Sequence, residues 1–184
     1  SNPVAVFLCR FRLWFTYLSL GQEVAWSELH IQEGNALAVS ETCADTLWIQ
    51  SAFSELLSQS GGVDLILGNP PYLGERGNQA QFLEVCKGPL KKYYQGKMDL
   101  LYFFFHLGLE LLKPKGHLAF LTTRYFTTAT HAQLLRDHLY HEAWIKKLFN
   151  FQNAMLFARA LGQHSLITFL QKTGKKGPTD LVVC

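Results

Sequence analysis

Long apolar runs, patterned cysteines and low-complexity tracts are all missing from this sequence, and each absence argues against a class of protein. Cys9, Cys43, Cys86 and Cys184 are far apart and show no metal-ligand spacing. They read as free thiols in a reducing compartment rather than as a disulfide framework or a zinc ribbon. The most apolar stretch, residues 99–112, is interrupted by His106 and Glu110. It is shorter than the roughly 20 residues a membrane span requires, so a buried core helix is expected there. The amino terminus carries no charged region and no small-residue cleavage site, and a cytoplasmic location with no membrane partner is expected. His131, His138 and His141 share a helical stretch with no cysteine or carboxylate cluster beside them, so no metal site is expected. Charged residues make up only 17% and hydrophobic residues 48% of the 184, which suits one compact domain and argues against disorder.

The modest net charge of +3 hides an asymmetry. Residues 1–64 hold two basic groups (Arg10, Arg12) against seven acidic ones, whereas residues 65–184 hold fifteen against seven. A polyanion partner is expected on the second part, although charge alone fits an ordinary solvated basic face equally well. Punctuation by Gly, Pro and Asn gives a coarse order of elements. A helix over 3–19 is followed by a short strand at 29–32, a helix at 45–57 and a strand at 63–67. A lysine-rich connection at 73–97 leads to a helix at 98–112 and a strand at 117–122. A helix at 130–141 and strands at 144–149 and 165–171 complete the chain. Strands alternating with helices of this length predict an α/β sheet, mostly parallel and covered on both faces.

In such a sheet ligands bind at the carboxyl ends of strands. Asn69-Pro70-Pro71-Tyr72 stands there, directly after the apolar run Leu65-Ile66-Leu67-Gly68. The residue types suit one chemistry. An exocyclic aromatic amine is a poor nucleophile because its lone pair is delocalised into the ring. Two acceptors aimed at its two N–H groups would pull the nitrogen toward a pyramidal geometry and free that pair. The Asn69 side-chain oxygen and the Pro70 carbonyl are candidates for those acceptors. Each proline fixes its own φ and restricts the residue before it, so the carbonyls are held in place before substrate arrives. Tyr72 offers a flat face for a planar base, worth about 1–3 kcal/mol. Prolines can also simply end a strand, but four specified residues arise by chance in roughly one chain of this length in a thousand.

Further motifs occur in order around this turn: Gly34-Asn35-Ala36-Leu37, Lys97-Met98-Asp99-Leu100-Leu101-Tyr102, the run from Leu112 to Phe120, Leu134-Leu135-Arg136, Leu156-Phe157, and His164 to Lys172. With Gly68-Asn69-Pro70-Pro71-Tyr72 they make the chain resemble the TaqI-like gamma class of adenine-N6 DNA methyltransferases of restriction–modification and phage-defence systems. The resemblance covers nearly the whole chain. It implies a Rossmann-like fold dependent on S-adenosylmethionine, here incomplete, with the first two strands missing and an antiparallel last strand. It implies one partial catalytic domain over 1–184, with no target-recognition domain after it. Asn69, Pro70, Pro71 and Tyr72 would be catalytic. Asn35 and Ala36, with Asn69 and Pro71, would contact the cofactor. Phe157 would pack against a flipped adenine, and Lys91 and Lys92 in the basic connection would touch DNA phosphates. The implied partners are double-stranded DNA and a restriction endonuclease or specificity domain, in the same chain or system.

Departures from that pattern are equally plain. The glycine-rich cofactor loop and the acidic residue that binds the cofactor ribose are absent from these 184 residues. The segment 29–32 would lack its neighbouring strands, and the chain alone is expected to bind cofactor weakly and to be inactive. Two other functions stay open on sequence grounds. The same tetrapeptide serves RNA and protein-glutamine methylation, and a non-catalytic nucleic-acid-binding remnant would also lack the cofactor half. The basic connection and the segment around Phe157 favour DNA.

Overall fold

The computed structural model describes residues 3–152 and 164–184. The chain divides into two compact units, residues 1–36 and 37–184.

In the first unit, helix α1 (Pro3–Ser19) buries none of its residues. Its aromatic side chains line up at helical spacing, with Phe7, Phe11 and Phe15 in successive stacked pairs and Trp14 edge-on to Trp26 at 6.4 Å. Arg10 lies over the Trp26 ring at 5.9 Å and donates through Nη2 to the Ile31 carbonyl at 3.2 Å. The strand expected at 29–32 does not form. The Ile31 amide donates to the Leu29 carbonyl at 3.0 Å, closing a γ-turn on His30. A lone extended segment has no ladder to hold it, and no partner strand exists for it among the described residues.

The second unit opens with a small antiparallel bridge between Val39 and Leu47, over fully buried Leu37 and Leu47. The single helix expected at 45–57 is two short ones, α2 (Trp48–Ala52) and α3 (Ser54–Ser60). Phe53 breaks them with φ −119° and ψ 24°, outside the helical basin. A left-handed Gly61 then closes α3 and delivers the chain to β1 (Val63–Gly68).

Four more strands complete the sheet: β2 (Leu112–Thr123), β3 (Ala143–Asn150), β4 (Ser165–Lys172) and β5 (Asp180–Val183). Their order is β1-β2-β4-β3-β5. The β1–β2 and β3–β5 pairs are parallel, and β4 is antiparallel to both β2 and β3. Four strands therefore run one way and β4 runs the other, as a mostly parallel α/β sheet requires. The antiparallel strand is the one expected at 165–171. It lies inside the sheet, between β2 and β3, and it is not the last strand, because the unforeseen β5 follows it and pairs parallel with β3.

Helix α5 (Leu100–Leu111) is the core of this unit and accounts for the apolar stretch read from the sequence. Nine of its twelve residues are buried, Phe103 and Phe105 completely. Phe105 meets Phe120 of β2 at 5.2 Å, and Phe103 meets Phe82 of α4 (Gln79–Val85) at 6.0 Å. Helix α6 (Gln133–Glu142) packs beside α5 and β3 through buried Leu135 and Leu139. Covering on both faces does not extend to β1. Leu65 and Leu67, on one side of the pleat, are 53% and 70% exposed, so no described element lies over them. Among the described residues no helix is long and apolar enough to cross a membrane.

Candidate active site

β1 delivers the tetrapeptide to the carboxyl edge of the sheet. Its last residue, Gly68, sits opposite Phe120 in the parallel ladder. A Cβ at Gly68 would lie 2.9 Å from the Phe120 ring, so only glycine lets the strand pass that ring and turn. Beyond it Asn69 and Pro71 are exposed, Pro70 is buried and Tyr72 is half-buried.

Tyr72 folds back over the turn. Its hydroxyl lies 2.6 Å from Asn69 Oδ1 and 3.0 Å from the Leu121 carbonyl of β2. One O–H faces two acceptors, so it can serve either without moving the ring. An amide oxygen has two lone pairs, and Asn69 Oδ1 keeps one for a further donor. Burial pushes the Tyr72 phenol above its ordinary value, so it remains a protonated donor at neutral pH.

The chain leaving the turn is pinned to the start of α5. Asp99 Oδ1 accepts from the Leu73 amide at 3.1 Å and from the Leu101 amide at 3.0 Å. The Leu100 amide donates to the Leu73 carbonyl at 2.9 Å, and the Glu75 amide to the Met98 carbonyl at 3.0 Å. The Glu75 carboxylate accepts from the Tyr94 hydroxyl and the Lys97 amide. Next to this segment is a cleft of about 620 Å³ lined by Gly74, Glu75, Arg76, Tyr94, Lys97 and Met98, with none of Asn69 to Tyr72 in its wall.

In the basic connection, Lys91 and Lys92 fall on a 3-10 turn, Pro89–Tyr93, and both are exposed. Lys92 pairs with Glu110 of α5 at 2.7 Å, and that hydrogen bond raises its pKa. A phosphate contact through Lys92 would compete with this pair. Tyr93 stacks flat on buried His106 at 3.8 Å, and its hydroxyl donates to Glu110 at 2.9 Å. The turn is thus anchored to the core helix through its aromatic residue, with Lys91 left pointing outward.

The residues proposed for the site distribute unevenly. Asn69, Pro70, Pro71 and Tyr72 are brought together at one strand tip. Asn35 is exposed and Ala36 half-buried, and both belong to the first unit. Phe157 lies outside the described residues. No group of three or more metal-binding side chains occurs among the described residues. Asp99 and Glu75, which hold the segment after the turn, were given no role from sequence. The available signal was an Asp directly before an apolar helical run, the pattern of a helix cap.

A mostly parallel sheet with an exposed Asn69 just beyond the carboxyl end of β1 is an α/β architecture of the kind in which ligands bind at strand ends. Residues 1–157 match the family model described as the Eco57I restriction-modification methylase, and the chain belongs to that family. The type II restriction enzyme and methyltransferase RM.Eco57I of Escherichia coli is 28% identical over 112 residues, which is 59% of this chain and 11% of that protein. The chain therefore spans about a tenth of this curated relative. Among solved structures, the type IIL restriction-modification enzyme MmeI in complex with DNA superposes with a TM-score of 0.56 at 18% identity, covering 89% of this chain and 22% of that one. The type IIG restriction endonuclease BpuSI gives a TM-score of 0.50 at 15% identity over 66% of this chain and 15% of its own. At such identities these two likenesses speak for the fold.

Proposed function

We propose that the complete protein carrying this chain is an adenine-N6 DNA methyltransferase of a restriction–modification system, using S-adenosylmethionine. The observation that carries the proposal is the exposed Asn69 at the tip of β1, with its amide oxygen oriented by Tyr72 and followed by two prolines. Membership of the restriction-modification methylase family supports DNA over RNA or protein as the substrate class. Double-stranded DNA would be the partner, with a nuclease or specificity domain elsewhere in the chain or system.

The residues divide the work simply. Asn69 Oδ1 and the Pro70 carbonyl would accept the two N–H groups of a flipped adenine, drawing the amine toward a nucleophilic geometry. Tyr72 would offer its ring for stacking, and Phe157 would close on the other side of the base. As the base amine approaches Asn69, the Tyr72 hydroxyl can pass its hydrogen to Leu121 and stay satisfied. Asn35 and Ala36 would meet the adenine end of S-adenosylmethionine, with Asn69 and Pro71 near its reactive end. That cofactor supplies an electrophilic methyl group on a sulfonium. The alkylated amine is acidic enough to lose its proton to solvent, so no strong base is required. The donor set, neutral amide and carbonyl oxygens beside an exposed proline, fits a cofactor whose reactive centre is a cation.

The test is tritiated methyl transfer by the complete protein to duplex DNA, with RNA and protein acceptors in parallel. Label is expected in N6-methyladenine of DNA. Asn69→Ala should slow it by about 100- to 1,000-fold, the usual cost of losing one fixed polar group aimed at a reacting centre. A variant that still methylates at nearly the normal rate would overturn the mechanism.

A further inference from the structure

The candidate turn is a short bridge between two fixed points. Upstream, Gly68 is held in the β1–β2 ladder opposite Phe120. Downstream, Leu73, the residue directly after Tyr72, donates its amide to Asp99 Oδ1 at 3.1 Å. Only four residues, two of them proline, lie between these points, so the turn keeps little freedom while both ends hold. The downstream point itself stands on a rigid support. The same Asp99 oxygen accepts from Leu101 at 3.0 Å and so caps α5, the most deeply buried helix of the unit.

We propose that Asp99 is a positioning residue for methyl transfer: its Oδ1 clamps the backbone after Tyr72 to the first turn of α5 and thereby sets where Asn69 and Tyr72 stand. This rests on reading the tetrapeptide as the catalytic turn. Asp99 touches no reacting atom and acts through Leu73. The neighbouring backbone pairs, Leu100 to Leu73 and Glu75 to Met98, fix the register of this segment. They do not replace the Asp99 oxygen, which is the acceptor of the Leu73 amide. What the site needs is an oxygen acceptor, since one oxygen takes both amides and no cation is paired with the carboxylate among the described residues. Burial raises the proton affinity of Asp99, with its two backbone bonds opposing. A neutral carboxamide of the same shape should therefore serve as well as the acid.

The experiment is single-turnover methyl transfer to duplex DNA by the complete protein, with enzyme and cofactor saturating. Asp99→Ala should slow the methyl-transfer step by about 10- to 100-fold, as expected for a small misplacement of reacting groups. Cofactor Kd should stay within about twofold, and Asp99→Asn should keep the rate within about threefold of the parent. A purely structural role would lower the melting temperature and leave the single-turnover rate of the folded enzyme unchanged. That result, or an Asp99→Asn variant as slow as Asp99→Ala, overturns the proposal. If Asp99→Ala does not fold, an ester in place of the Leu73 amide removes only the donor and should slow the step in the same way; an unchanged rate overturns the proposal. If the parent protein transfers no methyl group, the reading of the turn fails separately. The clamp is then read by amide hydrogen exchange at Leu73, which Asp99→Ala should accelerate about tenfold or more and which must not stay at the parent rate.

Discussion

Under the proposed function Tyr72 would combine two properties that substitution can separate, a ring for stacking and a hydroxyl bonded to Asn69. Tyr72→Phe keeps the ring and removes the bonds to Asn69 and Leu121. It should cost about 1 kcal/mol of stability and leave methyl transfer within about tenfold of the parent. Tyr72→Ala should lose a further 10- to 100-fold, in keeping with about 1–3 kcal/mol of lost stacking. Equal rates for the two variants would show that the ring plays no part. A second residue-scale consequence concerns pH. His106 is fully buried, and its Nδ1 lies 2.6 Å from His138 Nδ1, where only one of the two nitrogens can carry a hydrogen. Burial, His138 and Lys92 push His106 down to about 3, and burial also lowers His138 despite nearby Glu142 and Glu110. The unfolded chain therefore binds more protons than the folded one between about pH 6.5 and 3. Stability is fully present above the ordinary histidine range and is lost as pH falls through that window, at up to about 1.4 kcal/mol per pH unit for His106. Thermal melting from pH 7 to 5 should show the decline, and His106→Phe, which keeps a ring against Tyr93, should flatten it.

At the scale of elements, the closeness of α5 to the sheet is set by Gly108. A Cβ there would fall 2.4 Å from Leu118 Cδ1, and Leu118 is fully buried. Gly108→Val should destabilise by about 2 kcal/mol or more, because overpacking outweighs the small gain in helix propensity. A chemical-denaturation midpoint equal to that of the parent would refute this contact. Elements were legible in the sequence wherever the signal was local. The apolar run into Gly68-Asn69-Pro70-Pro71-Tyr72 marked β1 and the turn at its tip, and the Lys113-Pro114-Lys115-Gly116 break marked the end of α5. The segment at 29–32 alternates like a strand, but pairing depends on a neighbour that local pattern cannot supply. Helical spacing continued through Phe53, where the backbone breaks. β5 is four exposed residues, with no apolar period to announce it. The site divided along the same line. Asn69 to Tyr72 are contiguous and could be read directly. The Asp99–Leu73 and Glu75–Tyr94 contacts join residues 26 and 19 apart and needed the fold to bring them together.

For the molecule as a whole, the open side of β1 has a physical consequence. β1 pairs with β2 along one edge, and among the described residues its other edge has no partner. Leu65 and Leu67 stand in solvent beside that edge, and α1 in the first unit exposes Val4, Phe7, Leu8 and Phe15 at half or more of their surface. An unpaired strand with an apolar face is a template for adding another strand, and natural sheets blunt such edges with charge. Leu65 and Leu67 lie at the foot of the candidate turn, so any association here would also bear on the site. The 184-residue chain made alone should therefore self-associate with rising concentration and bind a hydrophobic dye. Leu65→Lys together with Leu67→Lys should reduce both effects while leaving the buried α5–β2 packing intact. Sedimentation velocity over a hundredfold concentration range is the direct measurement. A chain that stays monomeric throughout, with no dye bound, would mean that the leucines beside β1 are shielded in solution.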